Sequence, residues 1–204
     1  YPDPFLDSLL KSYPQYFSEL LKNREALNIQ ILYTQVNRDL NGNASLQHHR
    51  YNTNTNQYFY PASTVKLPIV LLALQKLNEL KDLKIDRNST MLTETAFSGQ
   101  MPVYNDPTTK DGKPTVANYI KKILLVSDND AYNRLYEFLG QDYINNEMHK
   151  KGYKDVQILH RLEIFLSEEE NRNTNPVTFY DPGSRVLYHQ PAQRNAAAYA
   201  VRND

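Results

Sequence analysis

The sequence predicts a mixed α/β chain in which helices are framed by antiparallel hairpins. Three observations predict it. Near the start, a stretch of helical periodicity runs into an alternating stretch and an Asn-Gly turn. Through the middle, helices are marked out by capping residues and closed by glycines. After Val156 the pattern turns strand-like, and a Pro-Gly turn separates two apolar runs.

The chain has 204 residues, 40% hydrophobic and 23% charged, with Lys plus Arg equal to Asp plus Glu at 23 each. This is the composition of an ordinary globular protein. The length suits one domain with a sizeable core, spanning residues 1–204, and is short for two full-sized ones. No basic stretch offers a phosphate-binding footprint, so nucleic acid is not an expected partner. No apolar run is long enough for a membrane span. The longest, Leu67 to Leu74, contains Pro68 and reads as a buried helix. Without cysteine there can be no disulfide, thiolate metal site or cysteine nucleophile. None of His48, His49, His149, His160 and His189 has the spacing of a helical metal site, so neither a metal nor a cofactor is expected. The first residue is Tyr1 rather than Met, which permits removal of an export signal without showing it.

Residues 3–27 read as an amphipathic helix, with Phe5, Leu6, Leu9, Leu10, Phe17, Leu20 and Leu21 at three- and four-residue spacing and Pro14 bending or splitting it. Asn28 to Val36 alternates as a strand. Asn41-Gly42-Asn43 is turn chemistry, and Ser45 to Tyr51 pairs back as a second strand. A polar loop, Asn52 to Gln57, leads to Tyr58–Leu80, which holds the most apolar helix. Leu83 to Pro114 reads as irregular, broken by Gly99, Pro102, Pro107, Gly112 and Pro114. Thr115 caps a helix through Val126. A second helix runs from Asp130 to Leu139, closed by Gly140, and a third covers Gln141 to Lys150. Val177–Tyr180 and Arg185–Tyr188 flank Asp181-Pro182-Gly183-Ser184 as a hairpin.

Three short motifs carry chemistry. Ser63-Thr64-Val65-Lys66 opens the apolar helix, and a spacing of three puts Ser63 and Lys66 one turn apart on one face. Backbone N–H groups at a helix start are unpaired, so a serine there can attack a carbonyl while its own N–H holds the developing oxyanion. Among Leu67, Ile69, Val70 and Leu71, desolvation disfavours the charged lysine and fits it to accept the serine's proton. The simpler account of the same residues is a capping serine and a snorkelling lysine. Ser127-Asp128-Asn129 joins two helices, where any of the three could cap the helix that follows. Arg161-Leu162-Glu163 follows in a loop, and a solvated surface carboxylate is its simpler account.

Together the motifs resemble those of class A β-lactamases and the related penicillin-binding enzymes. The SxxK and SDN elements stand in the family's order, and an Arg-x-Glu stands where the family has its omega-loop glutamate. The context agrees over roughly residues 3–167: a first helix, a strand hairpin, Tyr58-Phe59-Tyr60-Pro61-Ala62 entering the serine helix, and Thr115-Val116 starting the helix that delivers SDN. The resemblance implies a serine β-lactamase-like α/β fold, a helical part plus a mainly antiparallel sheet. It implies Ser63 as nucleophile, Lys66 as its proton partner and Ser127 as proton donor to the leaving nitrogen. Glu163 would activate the deacylating water, and Asn129 and Tyr104 would bind substrate. No metal or cofactor is implied. The implied partner is a small β-lactam or peptidoglycan-peptide substrate, and the implied location is the periplasm or cell envelope. Glu163 should then lie within one water of Ser63 and close to Lys66. Leu162, Ile164, Phe165 and Leu166 should anchor its loop, with Arg161 braced by an acidic residue such as Asp181.

Three departures qualify what the resemblance implies. Ser167 stands where the family has an asparagine that helps hold the hydrolytic water. Asn175 to Tyr188 reads as a hairpin where the family continues into helices. No KTG-like triplet follows Glu163, since Lys110-Asp111-Gly112 and Lys150-Lys151-Gly152 come too early. The C-terminal strands of the fold are therefore expected to be absent from this chain, with further residues completing the domain and associating with it. Two other readings stay open: a D-alanyl-D-alanine peptidase acting on peptidoglycan, and a penicillin-binding sensor or inactive module. Glu163 leans toward turnover, since such sensors lack it; Ser167 leans the other way.

Overall fold

A computed structural model describes residues 3–199. The described residues form two compact units, 3–59 and 60–199, each described by itself below.

In the first unit the predicted long helix is two short ones. Asp3 accepts the Phe5 N–H and starts α1, Pro4–Lys11; α2, Pro14–Lys22, begins at the proline that cannot continue a helix. The strands β1, Ile31–Arg38, and β2, Ala44–Tyr51, pair antiparallel from Ile31 opposite Tyr51 to Arg38 opposite Ala44. Asp39 Oδ1 accepts the N–H groups of Asn41 and Asn43 and folds the turn between them. Leu6, Leu10 and Tyr51 form this unit's small buried cluster, with Phe17, Leu21 and Ile31 packed on it.

The second unit holds the larger core. A 3₁₀ turn, Ala62–Val65, leads into α3, Lys66–Glu79. The stretch 83–114, expected to be irregular, contains a strand: β3, Thr90–Thr93, pairs along its whole length with a later strand. Four residues among breakers carry little periodic signal, so this pairing partner, remote in sequence, decides the element. Next come α4, Val116–Val126, α5, Asn129–Leu139, α6, Gln141–Lys150, and the short α7, Glu168–Arg172. The strands β4, Asn173–Thr174, β5, Val177–Tyr180, β6, Val186–Gln190, and β7, Gln193–Arg194, follow. β5 and β6 form the expected hairpin, and β5 is the middle strand of an antiparallel sheet ordered β3-β5-β6.

α5 is the central helix. Every residue from Ala131 to Leu139 is buried, including Asn133, Arg134 and Glu137. Ile69, Leu72 and Ala73 of α3, Tyr119 and Ile123 of α4, Ile144 of α6 and Phe179 of β5 share its core. A helix buried on all sides must pair its polar side chains internally, and those pairings reach the site. Among the described residues no helix is long and apolar enough to cross a membrane.

Candidate active site

The Ser63 segment begins with Ala62 at φ 46, a left-handed conformation that turns the chain sharply into the 3₁₀ turn. Ser63 therefore lies one turn before the α-helix proper, which starts at Lys66. Thr64 closes the turn by donating its N–H and its hydroxyl to the Pro61 carbonyl. Among the described residues the Ser63 N–H has no protein acceptor, which leaves it free to face an oxygen.

The Ser127-Asp128-Asn129 triplet divides its work. Ser127 ends α4 in the left-handed region at φ 55, its N–H still bonded to the Ile123 carbonyl at 3.1 Å. Asp128 starts α5, Oδ1 accepting the Ala131 N–H at 2.8 Å. The helix thus begins at Asn129, one residue earlier than expected, and only the middle residue of the triplet caps it. The side chains on either side are free to turn toward α3.

They meet at Lys66, which is 4% exposed. Its Nζ donates to Ser63 Oγ at 3.3 Å and to Ser127 Oγ at 2.9 Å, and also to the Ser127 carbonyl and Asn129 Oδ1. The two serine hydroxyls are themselves 3.4 Å apart. Four acceptors surround a group with three protons. Burial holds the Lys66 pKa below the ordinary lysine range, opposed by the negative charges of Asp128 and Glu163. An amine that surrenders its proton readily and touches a helix-start serine is equipped to activate it as a nucleophile.

Glu163 is exposed and makes no side-chain hydrogen bond among the described residues, but its charge acts on Lys66. It occupies the left-handed region at φ 57, a strained conformation for a residue with a side chain, kept only where the surroundings impose it. Those surroundings are visible. Asn133 of α5 donates to the Leu162 carbonyl at 2.9 Å and accepts the Leu162 N–H at 2.8 Å, clamping the residue before Glu163 at both ends. Tyr132 holds the His160 carbonyl at 3.3 Å, and Asn171 Oδ1 accepts the Arg161 N–H at 2.9 Å.

The loop differs from expectation in two respects. Arg161 is braced by Glu137 of α5, Nε to Oε1 at 2.9 Å, whereas Asp181 pairs with Arg185 across its own hairpin turn. A buried guanidinium needs a buried anion, and Glu137 of α5 supplies one. Leu162 packs on the core, but Phe165 is fully exposed and anchors nothing. Ser167 uses its hydroxyl to cap α7 in a reciprocal pairing with Glu170. Tyr104 is 61% exposed and has no hydrogen bond to the cluster. Asp128 is the one of the three possible caps that the structure selects, while Asn133 and Glu137 lie outside the motifs the sequence offers. Helix periodicity could have marked Asn133 and Glu137, because both fall within the buried turns of α5.

A family model for the Beta-lactamase enzyme family matches residues 15–184, more than half of the chain. The chain belongs to the beta-lactamase enzyme family. The match covers every element that builds the Ser63–Lys66–Ser127–Asn129 cluster and the Glu163 loop, and supports a beta-lactamase-like hydrolase at family level. No curated protein and no solved structure matches the chain.

Proposed function

We propose that this family member is a serine hydrolase of the class A type, opening β-lactam rings through an acyl-enzyme on Ser63. The observation that carries the proposal is the Lys66 ammonium shared between the hydroxyls of Ser63 and Ser127. In the neutral form Lys66 takes the Ser63 proton as Oγ attacks the ring carbonyl, and the unpaired Ser63 N–H holds the developing oxyanion. When the C–N bond breaks, the nitrogen takes the Ser127 hydroxyl proton, and Lys66 returns a proton to Ser127. Asn129 would donate through Nδ2 to an amide carbonyl of the substrate. In the second half Glu163 removes a proton from water, hydroxide attacks the ester carbonyl, and as the ester C–O bond breaks the proton held by Glu163 passes to the Ser63 oxygen, which leaves as the hydroxyl.

Lys66 is favoured over Glu163 as the base in acylation because it touches Ser63 Oγ directly. The serine β-lactamase-like fold is part of the same proposal. It is supported by the family match and by the mixture of helices with antiparallel sheet.

A slower enzyme is the second reading, favoured by Ser167. Its hydroxyl is committed to capping α7, and it has no amide with which to hold a water. A D-alanyl-D-alanine peptidase or a penicillin-binding module would keep the acyl group longer. One experiment separates these outcomes: intact mass over time with benzylpenicillin, followed by peptide mapping. A transient adduct on Ser63 with product release supports the hydrolase, and a lasting adduct on Ser63 supports the second reading. An adduct elsewhere, or none, defeats both.

A further inference from the structure

The geometry points to Glu137 as a positioning residue that holds two loops of the second unit at once, those carrying Tyr104 and Glu163. Its kinetic consequence, though not its structural one, rests on the hydrolase reading above.

Glu137 lies inside α5, 1% exposed, and touches none of the four clustered side chains. Its Oε1 accepts from two guanidiniums, Arg134 Nη2 at 3.0 Å and Arg161 Nε at 2.9 Å. Each arginine then reaches outward to a different loop. Arg134 Nη1 donates to the Met101 carbonyl at 2.9 Å, three residues before Tyr104. Arg161 Nη2 donates to the Asn173 carbonyl at 3.0 Å and to Asn175 Oδ1 at 3.1 Å, joining the two ends of the 161–175 loop. Asn175 closes the circuit, its Nδ2 donating to the Glu94 carbonyl at 2.7 Å and to Met101 at 3.2 Å. The loops also touch farther out. Gly99, at φ 79, lies so close to the other loop that an added Cβ would stand 2.9 Å from Leu166 Cδ2.

One buried carboxylate therefore serves two buried cations. Taking a charge out of water is costly unless it is paired, and removing the shared partner leaves Arg161 without its anion and Arg134 with only the exposed Asp130, 3.7 Å from its Nε. They can recover hydration only by moving outward, and each is bonded to a loop backbone that would move with it. Loss of the Glu137 charge should thus loosen both loops together while the apolar core of α3 and α4, which Glu137 does not pair with, stays packed.

The test is Glu137→Gln, which keeps the shape and one acceptor oxygen and removes the charge. By amide hydrogen exchange on the whole chain, both 94–104 and 161–175 should exchange about tenfold faster, with α3 and α4 unchanged. A change in one loop alone, no change, or equal loosening of α3 and α4 overturns the inference. With benzylpenicillin, acylation of Ser63 should stay within about threefold while deacylation slows about tenfold or more. Equal losses in both steps would mark a general fold defect and overturn it. Glu137→Gln combined with Arg161→Gln should deacylate no more slowly than the worse single variant; multiplied losses overturn action through Arg161. If Glu137→Gln does not fold, Glu137→Asp, which keeps a shorter carboxylate, is read by the same exchange criterion. A wild-type chain that takes no label defeats the hydrolase reading alone, and exchange then decides for Glu137. A labelled wild type with unchanged exchange in the variant defeats Glu137 alone.

Discussion

Ser127 brings its hydroxyl to 3.4 Å from that of Ser63, although 64 residues separate them in the chain. The approach depends on the left-handed conformation of Ser127, which ends α4 and turns its side chain toward α3, where Lys66 bonds to both hydroxyls. Chemistry and stability make different demands on that arrangement, and the difference can be measured.

Lys66→Arg separates charge from proton transfer. Arginine keeps the cation but cannot give up its proton near neutral pH. If Lys66 is the base, label incorporation at Ser63 should slow by about 10²- to 10⁴-fold. A loss under tenfold in the folded variant would show that another group takes the proton. Stopped incubations read by mass spectrometry give the rate.

The pH dependence of acylation carries a sign. Burial lowers the Lys66 pKa, and the charges of Asp128 and Glu163 raise it again. Acylation should rise with pH as Lys66 becomes neutral. Glu163→Gln removes one raising charge, so Lys66 loses its proton more readily and the acidic limb should move to lower pH. A limb that stays in place or moves to higher pH contradicts the coupling. Pre-steady-state acylation is the quantity to follow, because the same variant should accumulate acyl-enzyme.

Ser127→Gly should lose function yet be more stable than Ser127→Ala. At φ 55 a side chain is strained and glycine is not. Relative to Ser127→Ala, which also lacks the hydroxyl, the glycine variant should be about 0.5–1 kcal/mol more stable in urea unfolding. Both should acylate slowly. Equal stability of the two would show that the helix end relaxes freely.

Lys76→Met tests a buried cation outside the site. Lys76 Nζ donates to the Phe138 carbonyl at 2.6 Å, the Leu139 carbonyl at 3.3 Å and Gln190 Oε1 at 2.7 Å, satisfying the end of α5. Its loss should cost about 2–3 kcal/mol. Burial lowers its pKa to about 8 from an ordinary 10.5. Between these values the unfolded chain holds more protons than the folded one, so stability rises with pH. The wild-type advantage over Lys76→Met should therefore be level below pH 8 and grow from there toward pH 10.5. An advantage that shrinks over that window would mean the hydrogen bonds outweigh burial in holding the proton.

Local patterns foretold most elements of the chain because each carried its own signal. Pro14 splits the first helix, Asn41-Gly42-Asn43 lies in the turn of the first hairpin, Thr115 caps α4, and Pro182-Gly183 turns the β5–β6 hairpin. The i, i+3 spacing of Ser63 and Lys66 put those two side chains together for the same local reason. β3 was missed because four residues among breakers become a strand only when β5 pairs with them.

The sequence by itself determined which residue types were available for the chemistry and which of them shared a helical turn, since such spacing is a property of the helix alone. Only the tertiary structure decided that Ser127 and Asn129 turn to Lys66 while Asp128 caps α5. It also decided that Arg161 pairs with Glu137 and not with Asp181, and that Phe165 lies exposed while its neighbour Leu162 is clamped by Asn133. The reason is the burial of α5. Once packing removes a helix from water on most sides, its polar side chains are driven to partners inside the protein, as Asn133, Arg134 and Glu137 are. Where those partners lie depends on which loops cross the helix, and loop crossings leave no periodic trace in the chain.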